Sequence, residues 1–247
     1  MSNIKKLRKP FATVLLLMLA VALLALLGLK IYCKLPQENP SGILLSFDDY
    51  YEENWEQNFD LFDEYDANVT FFINAGEPTE FCYKAMERGH EIGFHTTKHV
   101  NLVEASEEEI WAEAIAPIEV FRKAGIEFTS FAYPYGASSL ELDELLLQHY
   151  NVVRGGFLYE LMPKEKLKKG YVEAKPIDNE YFSSELQFRW VINKMLYEAR
   201  FNEGTVVSMY THGVEWGDWC ITPPRLEYIL KKAKELNLEF YTYKKLQ

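Results

Sequence analysis

A chain of 247 residues is long enough for one domain with a sizeable core and short for two. With 48% hydrophobic and 15% aromatic residues it is neither a disordered nor a low-complexity chain. A net charge of −11 argues against a nucleic-acid binder, which needs a basic surface. The acidic excess is sharper beyond residue 30, because Lys5, Lys6, Arg8, Lys9 and Lys30 come before it and no acidic residue does.

Residues 11–29 are free of charge and mostly Leu, Ala and Val. At about 1.5 Å per residue a helix of that length spans a bilayer core. The basic cluster ahead of it is expected to stay in the cytoplasm and leave the rest outside. We therefore expect a cytoplasmic N-terminus over residues 1–10, a transmembrane signal anchor over 11–32, a linker over 33–41 and one catalytic domain over 42–247. The competing reading is a cleaved signal peptide and a secreted protein. The apolar run is long for that, and Lys30-Ile31-Tyr32 is no small-residue cleavage site. Of the three cysteines, Cys82 and Cys220 form the only pair in the globular part. We read them as small buried hydrophobes rather than a disulfide.

Beyond the linker, residues 42–47 read as a short buried strand. Residues 52–65 have helical spacing, with Trp55, Phe59 and Phe62 on one face. Strands are expected at 68–73 and 91–94, around a helix at 80–88 that stops at Gly89. Ser106 and Glu109 form a capping box for a helix reaching Lys123, and Ser138 and Glu141 form a second one for residues 140–149. Further strands are expected at 128–133, 152–153, 206–210 and 238–243. An irregular stretch runs to residue 184, and helices run to residue 199 and from Pro224 to Leu236. Strand and helix alternate throughout, which indicates a parallel sheet covered by helices, either a barrel or an open sheet. In both, sites gather at the C-terminal ends of the strands.

The unusual residues fall at those ends. Asp48 and Asp49 follow the first strand, His95 and His99 the third, Pro134-Tyr135-Gly136 the fourth, and His212 a late one. His90 and His149 lie elsewhere and read as structural. Asp49, His95 and His99 offer one carboxylate oxygen and two imidazole nitrogens, the three-ligand set of a catalytic zinc with a position left for water. Zinc, cobalt and manganese all suit such mixed donors. Adjacent carboxylates repel each other; a cation would hold one and leave the other as a base. Trp216 and Trp219, close after His212, offer flat faces for a sugar, or are ordinary aromatics.

In this order the motifs Ser46-Phe47-Asp48-Asp49, His95-Thr96-Thr97-Lys98-His99, Phe131-Ala132-Tyr133-Pro134-Tyr135-Gly136 and Tyr210-Thr211-His212 resemble the polysaccharide deacetylase family (NodB homology, carbohydrate esterase family four). The resemblance covers residues 42–244. It implies a distorted (β/α) barrel and metal-dependent removal of N-acetyl groups from a cell-surface or extracellular carbohydrate. Carried over by position, Asp48 is the general base, Asp49, His95 and His99 bind the metal, the Tyr135 N–H holds the oxyanion, and His212 is the general acid. Three departures follow. The family has an arginine where Ala132 stands, which orients the base, and Arg154 is the candidate to replace it. Tyr50 stands where a glycine usually follows the two aspartates and is expected to narrow the cleft. The segment that tunes the acid histidine is best matched by Asp178. The alternatives kept open are a hydrolase of another non-peptide C–N bond, a non-haem iron oxygenase on the same ligands, and a degenerate carbohydrate-binding protein. The expected partners are a carbohydrate and, through the N-terminal helix, a membrane.

Overall fold

A computed structural model describes the backbone of residues 3–246 and the side chains of residues 13–246. The basic cluster expected to set the orientation lies outside the described side chains. The chain divides into two units, residues 1–36 and 37–247. The first is a helix, Asn3–Tyr32, of which Thr13–Tyr32 is long and apolar enough to cross a membrane. The second begins at Gln37, ahead of the expected Gly42. Residues 37–41 are tied to the globular part: the Gln37 amide donates to the Arg200 carbonyl at 3.1 Å, and the Ser41 hydroxyl to that of Asn202 at 2.8 Å.

The globular unit is a curled, parallel-rich half-barrel with helices outside. Its strands are β1 (Gly42–Asp49), β2 (Thr70–Ile73), β3 (Glu91–Phe94), β4 (Ser130–Ala132), β5 (Val152–Arg154), β6 (Leu161–Pro163), β7 (Gly170–Val172), β8 (Lys175–Pro176), β9 (Thr205–Thr211), the small pair β10 (Gly213–Val214) and β11 (Cys220–Ile221), and β12 (Glu239–Tyr241). The main sheet runs β6-β9-β1-β2-β3-β4-β5-β7, with β12 added to β1 and β8 to β9. Every pairing is parallel except β6 with β9. The distortion is visible at β1. Its first half pairs with β12 through Gly42↔Glu239, and its second half with β2 through Ser46↔Thr70.

Alternation along β1 sorts the side chains, as the two-residue repeat of a strand requires. Leu44 points into the barrel with Phe72, Ala132, Val152, Val206 and Tyr243. Phe47 points out, against Trp55, Phe62 and Phe71. Phe71 is the centre of that outer cluster, within 5.0–6.3 Å of Trp55, Phe59, Phe62, Phe81 and His90. His90 is buried there as a core residue: burial pushes its pKa down to about 4, so the ring is neutral, and its Nδ1 accepts from the Val69 N–H.

The helices depart from expectation for local reasons. The one expected over 52–65 is two, Glu52–Glu56 and Phe59–Glu64. Between them the Asn58 amide donates to the Asn54 carbonyl at 2.8 Å and competes with the backbone ladder. Trp55, Phe59 and Phe62 are all buried even so. The second capping residue is Ser139 rather than Ser138: the Ser139 hydroxyl accepts from the Leu142 N–H, and the helix is Leu140–Leu146. Ser106 caps as expected, accepting from the Glu109 N–H. That helix is interrupted at Trp111–Ile115 by a π-helical turn just ahead of Pro117. Cys33, Cys82 and Cys220 are buried and unpaired.

Candidate active site

The parallel strands aim their C-terminal ends at one rim, and a cleft of about 340 Å³ opens there. Asp48, Asp49, His95, His99, Tyr135 and His212 all line it. The backbone at the rim is unusual. Asp49, Thr96, His99, Tyr135 and Phe157, five of the seven described non-glycine residues with positive φ, lie at the strand ends that form it. Such conformations cost energy and persist where surrounding structure fixes them.

Asp49 Oδ1 lies 3.5 Å from His95 Nε2 and 3.3 Å from His99 Nε2. One ligand atom from each of these three residues falls within 4.8 Å of the others. His95 Nδ1 meets the Ala132 carbonyl at 2.7 Å, which makes Nδ1 the protonated nitrogen and turns the Nε2 lone pair toward Asp49. Burial raises the Asp49 carboxyl, yet the adjacent His95, then His212 and His99, hold it below its usual value. Burial, then the neighbouring His95, lower the His99 pKa and favour its neutral form. Asp49 Oδ1 is buried with no hydrogen-bond partner. An orphaned carboxylate oxygen facing two imidazole nitrogens is a donor set that fits a divalent cation.

Asp48 is 3% exposed and faces the barrel interior, as its parity with Leu44 requires. Arg154 Nη2 donates to Asp48 Oδ2 at 2.5 Å. The guanidinium lies between two rings, 5.1 Å from the centroid of Phe72 and 4.5 Å from that of Tyr210, and is 1% exposed. Burial opposes its charge, but Asp48 outweighs burial and its pKa is raised. In the sheet Arg154 is the register partner of Ala132. Arg154 on β5 thus stands one strand over from Ala132 on β4, at the same level.

On the opposite wall His212 Nδ1 lies 3.1 Å from Asp178 Oδ2. Asp178 is fully buried, and its Oδ1 accepts from the Thr211 hydroxyl and the His212 N–H. Burial alone would lower the His212 pKa. The Asp178 hydrogen bond and charge, then the charges of Asp48 and Asp49, raise it to about 9. The Trp55 indole donates to the His212 carbonyl at 2.7 Å, which fixes the loop from behind.

Trp219 lines the cleft, its ring perpendicular to His212 at 5.9 Å, whereas Trp216 is 80% exposed and does not line it. Tyr50 points to solvent, 74% exposed, so it does not narrow the cleft; Tyr51 is the lining residue. Three contributors carried no sequence signal. Phe157 lies over Gly136, where a Cβ would meet its ring at 2.8 Å. Asn74 donates to the His95 and Thr96 carbonyls. Glu113 lies under the His95–His99 loop.

Residues 36–151 match the family described as polysaccharide deacetylase. No curated protein matches the chain. Among solved structures, the Bc1960 peptidoglycan N-acetylglucosamine deacetylase is 22% identical with a TM-score of 0.59, covering 84% of this chain and 87% of that one. The peptidoglycan deacetylase PdaC from Bacillus subtilis is 18% identical with a TM-score of 0.57, covering 84% and 90%. A third is a mutant of BA3943, described as a family-four carbohydrate esterase pseudoenzyme with restored activity, at 15% identity and a TM-score of 0.57, covering 85% and 68%. These are likenesses of fold. The third shows that the fold alone does not guarantee activity.

Proposed function

We propose, from the match of residues 36–151 to the polysaccharide deacetylase family and from the geometry of the cleft, that this chain is a metal-dependent N-deacetylase of a cell-surface or extracellular carbohydrate. Asp49, His95 and His99 would hold the cation, zinc first, with cobalt or manganese fitting the same donors. The cation supplies Lewis acidity for an amide carbonyl and for a water. Asp48, held by Arg154, takes the proton of the attacking water. The Tyr135 N–H, on the strained turn Pro134–Gly136, donates to the oxyanion as the carbonyl becomes tetrahedral. His212, kept protonated by Asp178, gives its proton to the leaving amine.

The observation that carries this reading is the opposite pairing of the two proton-transfer groups. A carboxylate on one wall is paired with a buried arginine, and an imidazole on the other with a buried carboxylate. The first pairing orients a base, and the second keeps an acid protonated on the opposite wall. An oxygenase on the same ligands has no use for this second pair. The arginine on β5 also removes the main reason, Ala132, for reading the site as degenerate.

The helix Thr13–Tyr32 and the basic residues before it support a single-pass anchor, with residues 1–10 in the cytoplasm and the catalytic domain, residues 42–247, outside. Trp219 is the aromatic offered to a sugar ring, with Trp216 further out on the same loop. Two of the relatives act on peptidoglycan, which makes it the first substrate to try. The test is acetate release from peptidoglycan and N-acetylglucosamine oligomers by the full chain in detergent. Release abolished in Asp48→Asn and retained in Trp216→Ala is the expected result; equal release from Asp48→Asn would remove the base from the scheme.

A further inference from the structure

The loop between the two histidine ligands belongs to no regular element, so its backbone groups need partners of another kind. His95 N–H bonds to the Ile73 carbonyl at 3.0 Å, continuing β3 by one residue. Asn74 takes the His95 and Thr96 carbonyls, and the Thr96 hydroxyl takes the Val100 N–H at 3.2 Å. The two N–H groups at the middle of the loop, those of Thr97 and Lys98, both go to Glu113. Thr97 N–H donates to the Glu113 carbonyl at 3.1 Å, and Lys98 N–H to its carboxylate at 2.8 Å. One residue, 6% exposed, thus receives both.

The sequence explains why that carbonyl is free to accept. In an α-helix the Glu113 carbonyl would receive the N–H of the residue four further on. That residue is Pro117, which has none and whose ring would crowd the carbonyl. The helix answers with the π-helical turn over Trp111–Ile115, in which the Ala116 N–H reaches the Trp111 carbonyl. The turn releases the Glu113 carbonyl toward the loop and buries its side chain under the loop. The loop held in this way is strained, with φ of 64° at Thr96 and 57° at His99, so it needs such a brace.

We propose that Glu113 is a positioning residue for the cation site, fixing the His95–His99 loop so that both imidazoles face Asp49 before a cation arrives. The proposal rests on the reading of Asp49, His95 and His99 as cation ligands. Neighbours that orient ligands typically change metal affinity by about 10–100-fold when removed. The experiment is Zn²⁺ binding to the full chain, by competition with a chromogenic chelator, for wild type, Glu113→Ala, Glu113→Gln and His95→Ala. We expect Glu113→Ala to bind about 10–100-fold more weakly. Glu113→Gln, whose amide oxygen still accepts from Lys98 N–H, should fall only a few-fold, roughly within tenfold of wild type. A Kd for Glu113→Ala within about twofold of wild type overturns the proposal, since a merely structural residue would change the folded fraction and leave its affinity intact. Wild-type binding that survives His95→Ala, or no binding at all, overturns the cation reading and this inference with it. Should Glu113→Ala not fold, amide exchange in the metal-free wild type decides. Thr97 and Lys98 protected like strand amides is the expected result, and exchange at the rate of an open loop contradicts it.

Discussion

At the scale of single residues, the proposed chemistry rests on two ion pairs whose members have opposite jobs, Asp48 with Arg154 and His212 with Asp178. Arg154→Met removes the cation and leaves Asp48 buried without a counter-ion, which costs about 3–5 kcal/mol of stability. With Asp48 no longer aimed, kcat should fall by about 10²-fold, the low end of what a general base contributes, while KM changes little. Steady-state kinetics on the folded variant check this, and a rise in KM at constant kcat would contradict it. The second pair sets the pH dependence. In the proposed scheme His212 must carry its proton, so its raised pKa extends activity to alkaline pH, and activity is lost as pH rises through that pKa. A cation at Asp49 cancels the share that this carboxylate contributes and leaves Asp178 as the main support. Asp178→Asn should therefore move the alkaline limb of kcat to lower pH, and an unmoved limb would show that another group sets it.

The scale of elements shows what could be read from the sequence and what could not. Asp48 and Asp49, and His95 and His99, were legible because a short apolar run ended just before each pair, and a parallel sheet gathers such ends. Arg154 was legible only as a candidate. Its place beside Ala132 depends on the register of β4 against β5, which no local pattern encodes. Glu113 left no signal of its own, because its role follows from Pro117 in the next turn and from a loop on another element. Two residues turned outward, Tyr50, taken from its place in the family pattern, and Trp216, taken for its nearness to His212, because neither signal fixes the side of a turn. The irregular stretch before residue 184 holds β6, β7 and β8, all of two or three residues and too short for a periodic pattern. The outer cluster, by contrast, was plain in the spacing of Trp55, Phe59 and Phe62. Phe71 lies at its centre and is fully buried. Phe71→Ala should cost about 3–5 kcal/mol, measurable by denaturant unfolding. A cost below about 1 kcal/mol would mean that the helices close over the gap.

For the whole molecule, the proposal gives the half-barrel and the N-terminal helix separate tasks, and that separation can be tested. The globular unit begins at Gln37 with its own hydrogen bonds to the segment around Arg200 and Asn202. A chain starting at residue 37 should therefore be soluble and keep the acetate-releasing activity of the full chain, while the full chain sediments with membranes. Loss of folding on removal of the helix would show that the anchor is part of the domain.

The most direct measurement is acetate release from peptidoglycan and N-acetylglucosamine oligomers by the full chain, with Zn²⁺ and with a chelator. We expect release that the chelator abolishes, that added Zn²⁺ restores and that His95→Ala removes. Release indifferent to the chelator, or none from any N-acetylated glycan by a protein shown to bind Zn²⁺, would contradict the assignment of this cleft to metal-dependent deacetylation.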